Sequence, residues 1–360
     1  MTEAPSLTSA IELLVEKAIA RAGGWLPFDR FMALALYAPG LGYYANDSRK
    51  FGTMPASGSD FATAPEMTPL FGASLAVQVA DALAATATLD VWEFGAGSGA
   101  LALQLLEALG ESVRRYTIVD LSGTLRQRQQ EALLKYGAKV QWASELPEYF
   151  SGVVVGNEVL DAMPVKLLVR TAGVWHERGV SAGLRWDDRP TPLRPPLDIP
   201  GDHDYLTEIH PQAEAFIRTL ADRLERGAAF FLDYGFGESE YYHPQRHMGT
   251  LMCHRGHLAD TDPLRDIGGK DITAHVNFTG LALAAQHAGL PTLGYATQAR
   301  FLMNCGLVER LAHSSLPERI AGQRLLAEHE MGQLFKVIGF HKGPFWDARG
   351  FSQGDRTDRL

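Results

Sequence analysis

The chain has 360 residues, 46% hydrophobic and 21% charged, with 36 glycines and 19 prolines, a globular composition that excludes disordered, collagen-like and coiled-coil classes. Its 33 basic and 42 acidic side chains leave a net charge of −9 with no block of one sign, so no nucleic-acid partner held through its phosphates is expected. Cysteine occurs only at Cys253 and Cys305, too few for a disulfide framework, which points to a reducing compartment and by default the cytoplasm.

The opening residues, MTEAPSLTSA, lack the cationic start and apolar run of a signal peptide. Ile11, Leu14, Val15, Ala18 and Ile19 then recur at helical spacing, with Ser9 and Glu12 spaced as a capping box and Gly23 as the stop. A loop-rich stretch, 37–66, precedes a helical run predicted over 64–85. From Leu89 onward, short β-branched or aromatic runs alternate with helix-length segments, which predicts an α/β fold with a parallel sheet covered by helices. Strands are predicted at 90–94, 116–120, 139–142, 153–156 and 229–233. Residues 167–180 read as a β-hairpin, and the five prolines of the following DDRPTPLRPPLDIPG predict an exposed excursion, so 165–208 is taken as an insertion. The longest charge-free stretch, 275–299, is broken by Asn277, Gln286, His287, Gly289, Pro291 and Gly294, and no membrane span is expected. A last helix at 317–332 leads into LFKVIGF, a strand beside the main sheet. Residues 1–86 thus form a region of N-terminal helices and a covering loop; 87–360 form the sheet domain, with the insertion and a further helical segment over about 240–330.

The sharpest local signal is VWEFGAGSGA at 91–100, a strand entering three alternate glycines, Gly95, Gly97 and Gly99, and then a helix. Glycine lets such a turn close tightly and lets a ligand approach the helix N-terminus. Gly95, Gly97 and Ala100 satisfy a dinucleotide fingerprint, and Asp120 stands at about the distance of a ribose-binding acid, although a strand-end turn would also place an aspartate there. Glu93 distinguishes the two ligand classes. A carboxylate two residues before the first glycine repels a pyrophosphate and suits the ammonium group of a phosphate-free, cationic nucleoside such as S-adenosylmethionine; pairing with a neighbouring cation is the plainer alternative.

Several blocks flank this turn: FMALALYAPGLGYY at 31–44, SDFATAPEMTPLFG at 59–72, NEVLDAMPV at 157–165, LDYGFG at 232–237, GTLMCHRGH at 249–257, DITAHVNFT at 271–279 and TQARFLMNCGL at 297–307. In this order they resemble the MidA-like family of S-adenosylmethionine-dependent methyltransferases, whose mitochondrial member is a protein-arginine methyltransferase needed for respiratory complex I assembly. The resemblance covers roughly residues 10–340. It implies a Rossmann-like class I methyltransferase sheet with an N-terminal helical region and a substrate-side insertion. It also implies S-adenosylmethionine as cofactor and a protein substrate, such as a respiratory-complex subunit, methylated at arginine. Asn277 departs from the pattern, standing where aspartate is common.

Arginine is a demanding nucleophile because its guanidinium stays protonated, so a proton must leave as the new bond forms and carboxylates are needed beside it. Asn157, Glu158 and Asp161 lie just past the fourth predicted strand, at the sheet end where ligands bind. If a helix starts there, Glu158 and Asp161 share a face; Asn157 is equally a good N-cap. The resemblance implies that Asp60, Thr63 and Glu66 fold over the cofactor, while Thr63 with Glu66 also has capping-box spacing. Glu145 suits the adenine amino group or is a plain loop acid. His275 relays the departing proton or is structural, and it meets Asp271, four residues earlier, only if that segment is helical. Tyr241, Tyr242 and Arg246 are candidates for the substrate wall. His243, His247, Cys253, His254 and His257 fit no common zinc spacing, and no metal is expected. The rival readings are an assembly factor that keeps the fold without turnover, and a nicotinamide oxidoreductase.

Overall fold

Val153, Val154 and Val155 are all fully buried, as a strand covered on both faces requires. In the computed structural model, which describes residues 7–46, 63–120 and 123–360, this run sits at the middle of the main sheet. Its strands are β1 (Asp90–Phe94), β2 (Arg115–Val119), β3 (Val140–Ala143), β4 (Phe150–Asn157), β5 (Leu224–Phe236), β6 (Thr292–Thr297) and β7 (Phe335–Lys342). They lie in the order β6-β7-β5-β4-β1-β2-β3, with the short strand Val276–Asn277 added along β5. The β1, β2, β3, β4 and β5 pairings are parallel, whereas β7 runs antiparallel between β5 and β6. Strand order reverses between β1 and β4, which opens a crevice at their carboxyl ends.

One face of the sheet packs around Phe71, Leu105, Phe230, Phe301 and Val337, and the other around Ile217, Phe231, Phe278 and Leu281. Full burial of each such side chain contributes about 1.5–3 kcal/mol. The helix Pro69–Thr86 is long and apolar enough to cross a membrane, but 56% of it is buried inside the protein, against the sheet. The predicted helix over 64–85 is two helices, Ala64–Met67 and Pro69–Thr86. Thr68, at φ −160° and ψ 140°, separates them, because the residue before proline is driven out of the helical region.

Three further expectations need correction or refinement. The first helix runs from Leu7 to Arg21, so Ser9 lies inside it rather than at its cap. The proline-rich run, 187–201, lies mostly at the surface as expected, but Ile199 anchors it to a core and its flanks belong to a second sheet. Strand Val174–Ser181 pairs with Arg185–Pro190 on one side and with Lys166–Thr171 on the other. Lys166–Thr171 pairs in turn with Tyr205–Ile209, and the N-terminal strand Trp25–Pro27 joins this second sheet at Gly179–Ser181. Ile199 and Tyr205 are buried there, and Arg170 holds the loop by donating to the carbonyls of Ile199 and His203 at 2.8 and 3.1 Å. Finally, the segment expected to be helical from residue 240 is a small sheet in its first part: Met252–Arg255, Leu258–Asp260 and Asp271–Thr273. Gly256 and His257, both at positive φ, close a two-residue hairpin of the kind that requires left-handed backbone at both positions.

Candidate active site

At the carboxyl ends of β1 and β4 lies a cavity of about 710 Å³, within the range of small-molecule sites. The three alternate glycines form its floor with φ of +62° at Gly95, +54° at Gly97 and +89° at Gly99, left-handed values that side chains resist. Gln129, fully buried, clamps this turn. Its side-chain amide donates through Nε2 to the Gly97 carbonyl at 3.1 Å and to Asp120 Oδ2 at 2.9 Å, while its Oε1 accepts from Trp142 Nε1 at 3.0 Å. One neutral side chain thereby fixes both the glycine turn and the acid at the end of β2.

Glu93 lines the cavity and is 1% exposed. Tyr116 donates its hydroxyl to Glu93 Oε2 at 2.7 Å. Burial outweighs that bond and pushes the Glu93 carboxyl up to about 8, with Asp120 adding to the rise. Glu66 also lines the cavity. Its carboxylate accepts from the Ser98 hydroxyl in the glycine turn, and the neighbouring Pro65 carbonyl accepts from Gln104 Nε2 at 2.8 Å. Thr63 is the residue before the short helix but makes no side-chain cap, so the capping-box alternative for Thr63 and Glu66 is not the arrangement found. Glu145 sits exposed at the rim. Asp60 lies outside the described residues.

Past β4 the chain does not enter a helix. Asn157 ends the strand, and Glu158 adopts a left-handed φ of +54°, a conformation that costs energy for a residue with a Cβ and is characteristically retained at functional sites. Asp233, at the matching position of β5, holds the turn. Its Oδ2 accepts from the backbone N–H groups of Val159, Leu160 and Asp161 at 3.1, 2.8 and 3.3 Å. Asn157 and Glu158 line the cavity, and Asn157 Nδ2 donates to Glu158 Oε1 at 3.1 Å. Burial, reinforced by Asp161, pushes Glu158 up to about 8. Asp161 is placed behind this wall, where it accepts from the Tyr234 hydroxyl; burial raises both it and Asp233.

His275 is not brought to the cavity wall. The segment from Asp271 is extended, so Asp271 and His275 share no helical face. The ring of His275 stacks on Phe236 at 5.2 Å and meets Tyr234 edge-on at 5.2 Å. Burial, then Arg246 and Lys336, lowers it to about 4, which suits a neutral core imidazole. Tyr241 and Tyr242 are likewise core residues, not wall: Tyr241 donates to Glu208 Oε2 at 2.9 Å and Tyr242 to the Glu208 carbonyl at 3.0 Å. Arg246 lies over the Phe236 ring at 3.9 Å. Among the described residues no three histidine, cysteine or carboxylate side chains come together as a metal ion needs. Asn277 caps the helix Phe278–His287 by accepting from Gly280 N–H at 3.2 Å.

Comparison with known proteins adds to this geometry. Residues 73–296 match the model of a family described as "Putative S-adenosyl-L-methionine-dependent methyltransferase". A solved protein of Burkholderia thailandensis bound to S-adenosyl-homocysteine is 48% identical, with a TM-score of 0.94, over 99% of this chain and 97% of its own. A native structure from the same organism is 46% identical, with a TM-score of 0.90 at the same coverage. A zebrafish relative named "Protein arginine methyltransferase NDUFAF7, mitochondrial" is 28% identical over 84% of this chain and 78% of its own length, and its Caenorhabditis elegans homologue 27% over 83% and 77%. The residues present fit a phosphate-free nucleoside that carries an ammonium group: Glu93 is a buried acid in the cavity wall, Asp120 a second acid in that wall, and the three left-handed glycines between them present bare backbone. From the β6-β7-β5-β4-β1-β2-β3 sheet, this donor set and these matches together, the chain belongs to the MidA-like family of S-adenosylmethionine-dependent methyltransferases.

Proposed function

We propose that the protein methylates an arginine side chain of a protein acceptor. The observation that carries this reading is the Asn157–Glu158 corner: a carboxylate held on a left-handed turn in the same cavity as the glycine turn, with two further buried acids, Asp161 and Asp233, behind it. The name of the zebrafish relative, at 28% identity, supports the same acceptor. S-adenosylmethionine, when bound, supplies a methyl group on a positively charged sulfur. Glu93 would hold its ammonium group, and Asp120, steadied by Gln129, would hold its ribose. Glu158 orients the guanidinium and receives the N–H proton that must leave as the nitrogen bonds to the methyl carbon and the C–S electron pair stays on sulfur. The test is incubation with methyl-labelled donor and a cell extract, followed by mass spectrometry of labelled proteins. Label on arginine nitrogen is expected; label confined to lysine, carboxyl or small-molecule oxygen overturns the reading.

Donor binding has its own signature. With Glu93 near 8 in the free protein, its carboxyl is mostly protonated at pH 7, and an ammonium beside it favours the ionised form. Binding at pH 7 therefore releases a proton, and affinity rises with pH and levels off above about 8, where the group is already ionised. Titration calorimetry in buffers of different ionisation enthalpy should show this release in the wild type and its loss in Glu93→Gln. Wild-type heats independent of buffer would remove Glu93 from the ammonium site.

A further inference from the structure

The wall beside Glu158 comes from the N-terminal region. Tyr37, the last residue of the helix Phe28–Tyr37, and Tyr44 both line the cavity with Asn157 and Glu158. Their rings stack at 5.6 Å with 20° between the planes, and Tyr43 meets Tyr44 edge-on at 5.0 Å. Both hydroxyls are committed. Tyr37 donates to the Ala162 carbonyl at 2.8 Å, on the turn that carries Glu158, and Tyr44 donates to Asp271 Oδ2 at 2.9 Å. Rings pinned in this way offer a rigid π surface in a field set by Asp161 and Asp271, both of which act on the two tyrosines.

A second observation points to what this surface meets. Asn157 is 8% exposed, and its Oδ1 is buried with no hydrogen-bond partner among the described residues. Because its Nδ2 is spent on Glu158 Oε1, the amide presents an acceptor beside a carboxylate. A buried acceptor without a donor is costly. A donor-only, planar cation satisfies both oxygens and stacks on an aromatic face. An ammonium is a compact point charge with no flat face to stack.

Resting on the arginine reading above, we infer that Tyr37, Tyr44, Asn157 and Glu158 form the acceptor subsite and select guanidinium over ammonium. Tyr37 and Tyr44 are then specificity-determining residues, supplied by the N-terminal helical region rather than by the sheet.

The test uses the full chain saturated with S-adenosyl-homocysteine and titrated with acetyl-Gly-Arg-Gly-amide or its lysine counterpart. The arginine peptide should bind more tightly than the lysine peptide. Tyr44→Leu should weaken arginine-peptide binding about tenfold while S-adenosyl-homocysteine affinity, which also reports a folded site, stays at the wild-type level. Tyr44→Phe should retain most of the preference, and Tyr37→Leu repeats the test from the other ring. Equal binding of the two peptides to the wild type, or loss of S-adenosyl-homocysteine affinity in both leucine variants, overturns the subsite. Unchanged peptide binding in both leucine variants, with arginine labelling intact in the wild type, overturns the subsite and leaves the arginine reading standing. Wild-type protein that binds neither peptide and labels no arginine overturns both.

Discussion

Glu158→Gln is expected to lower kcat for arginine methylation by about 10²–10⁴-fold, the usual contribution of a positioned base, while donor affinity stays nearly unchanged. Glutamine keeps the size of the side chain and the acceptor for Asn157 Nδ2 but can neither carry a charge nor take a proton. The pH profile separates this role from a merely structural one. Burial holds the free carboxyl near 8, so its reactive, ionised fraction grows as pH rises through that value. Wild-type kcat/KM should therefore climb with pH and level off above about 8; the approach of a guanidinium to the carboxylate lowers the corresponding midpoint in kcat. With the donor saturating at every pH, so that Glu93 does not contribute, the glutamine variant should lack this limb. Parallel losses of donor affinity and turnover would instead assign Glu158 to cofactor binding or to folding.

The turn that carries Glu158 also marks how far the sequence could be read. Local signals were sufficient for β1, whose predicted and observed bounds agree at Asp90–Phe94, and for the glycine turn, because a buried β-branched strand and alternate glycines are features of contiguous residues. They also placed Asn157 and Glu158 at the cavity. The conformation there was not legible. Periodicity offered a helix start, whereas Asp233, 73 residues after Leu160, captures the backbone N–H groups a helix would need. Gln129 is illegible in the sequence for the same reason: a glutamine in the polar helix Gly123–Ala132 has no local mark, and its role appears only when Asp120, Gly97 and Trp142 converge on it. His275 is the opposite case: a spacing of four residues joins it to Asp271 only on a helix, and the extended segment turns the ring onto Phe236 instead, the structural alternative.

Gly95→Val should abolish useful donor binding, with an affinity loss on the order of 10²-fold or more and a lower melting temperature. Two effects add. The left-handed φ of +62° costs a residue with a Cβ about 1–2 kcal/mol, and β-branching makes it worse. A Cβ at Gly95 would also stand 2.8 Å from Val159 Cγ2, a contact that forces one of the two to move. Val159 follows Glu158 directly and is held by Asp233, so relief by moving it disturbs the acceptor turn, and relief by moving residue 95 disturbs the donor cradle. Together these reach roughly 3 kcal/mol, equivalent to about a hundredfold in affinity. Gly99→Ala provides the internal comparison. Its Cβ would meet Gln129 Cα at 3.4 Å, so it carries the backbone strain with little collision and should lose clearly less affinity. Calorimetry with S-adenosyl-homocysteine on both variants, beside a thermal melt, separates the two effects: equal losses would mean that strain alone governs the turn, and near-wild-type affinity for Gly95→Val would mean that the donor does not rest on it.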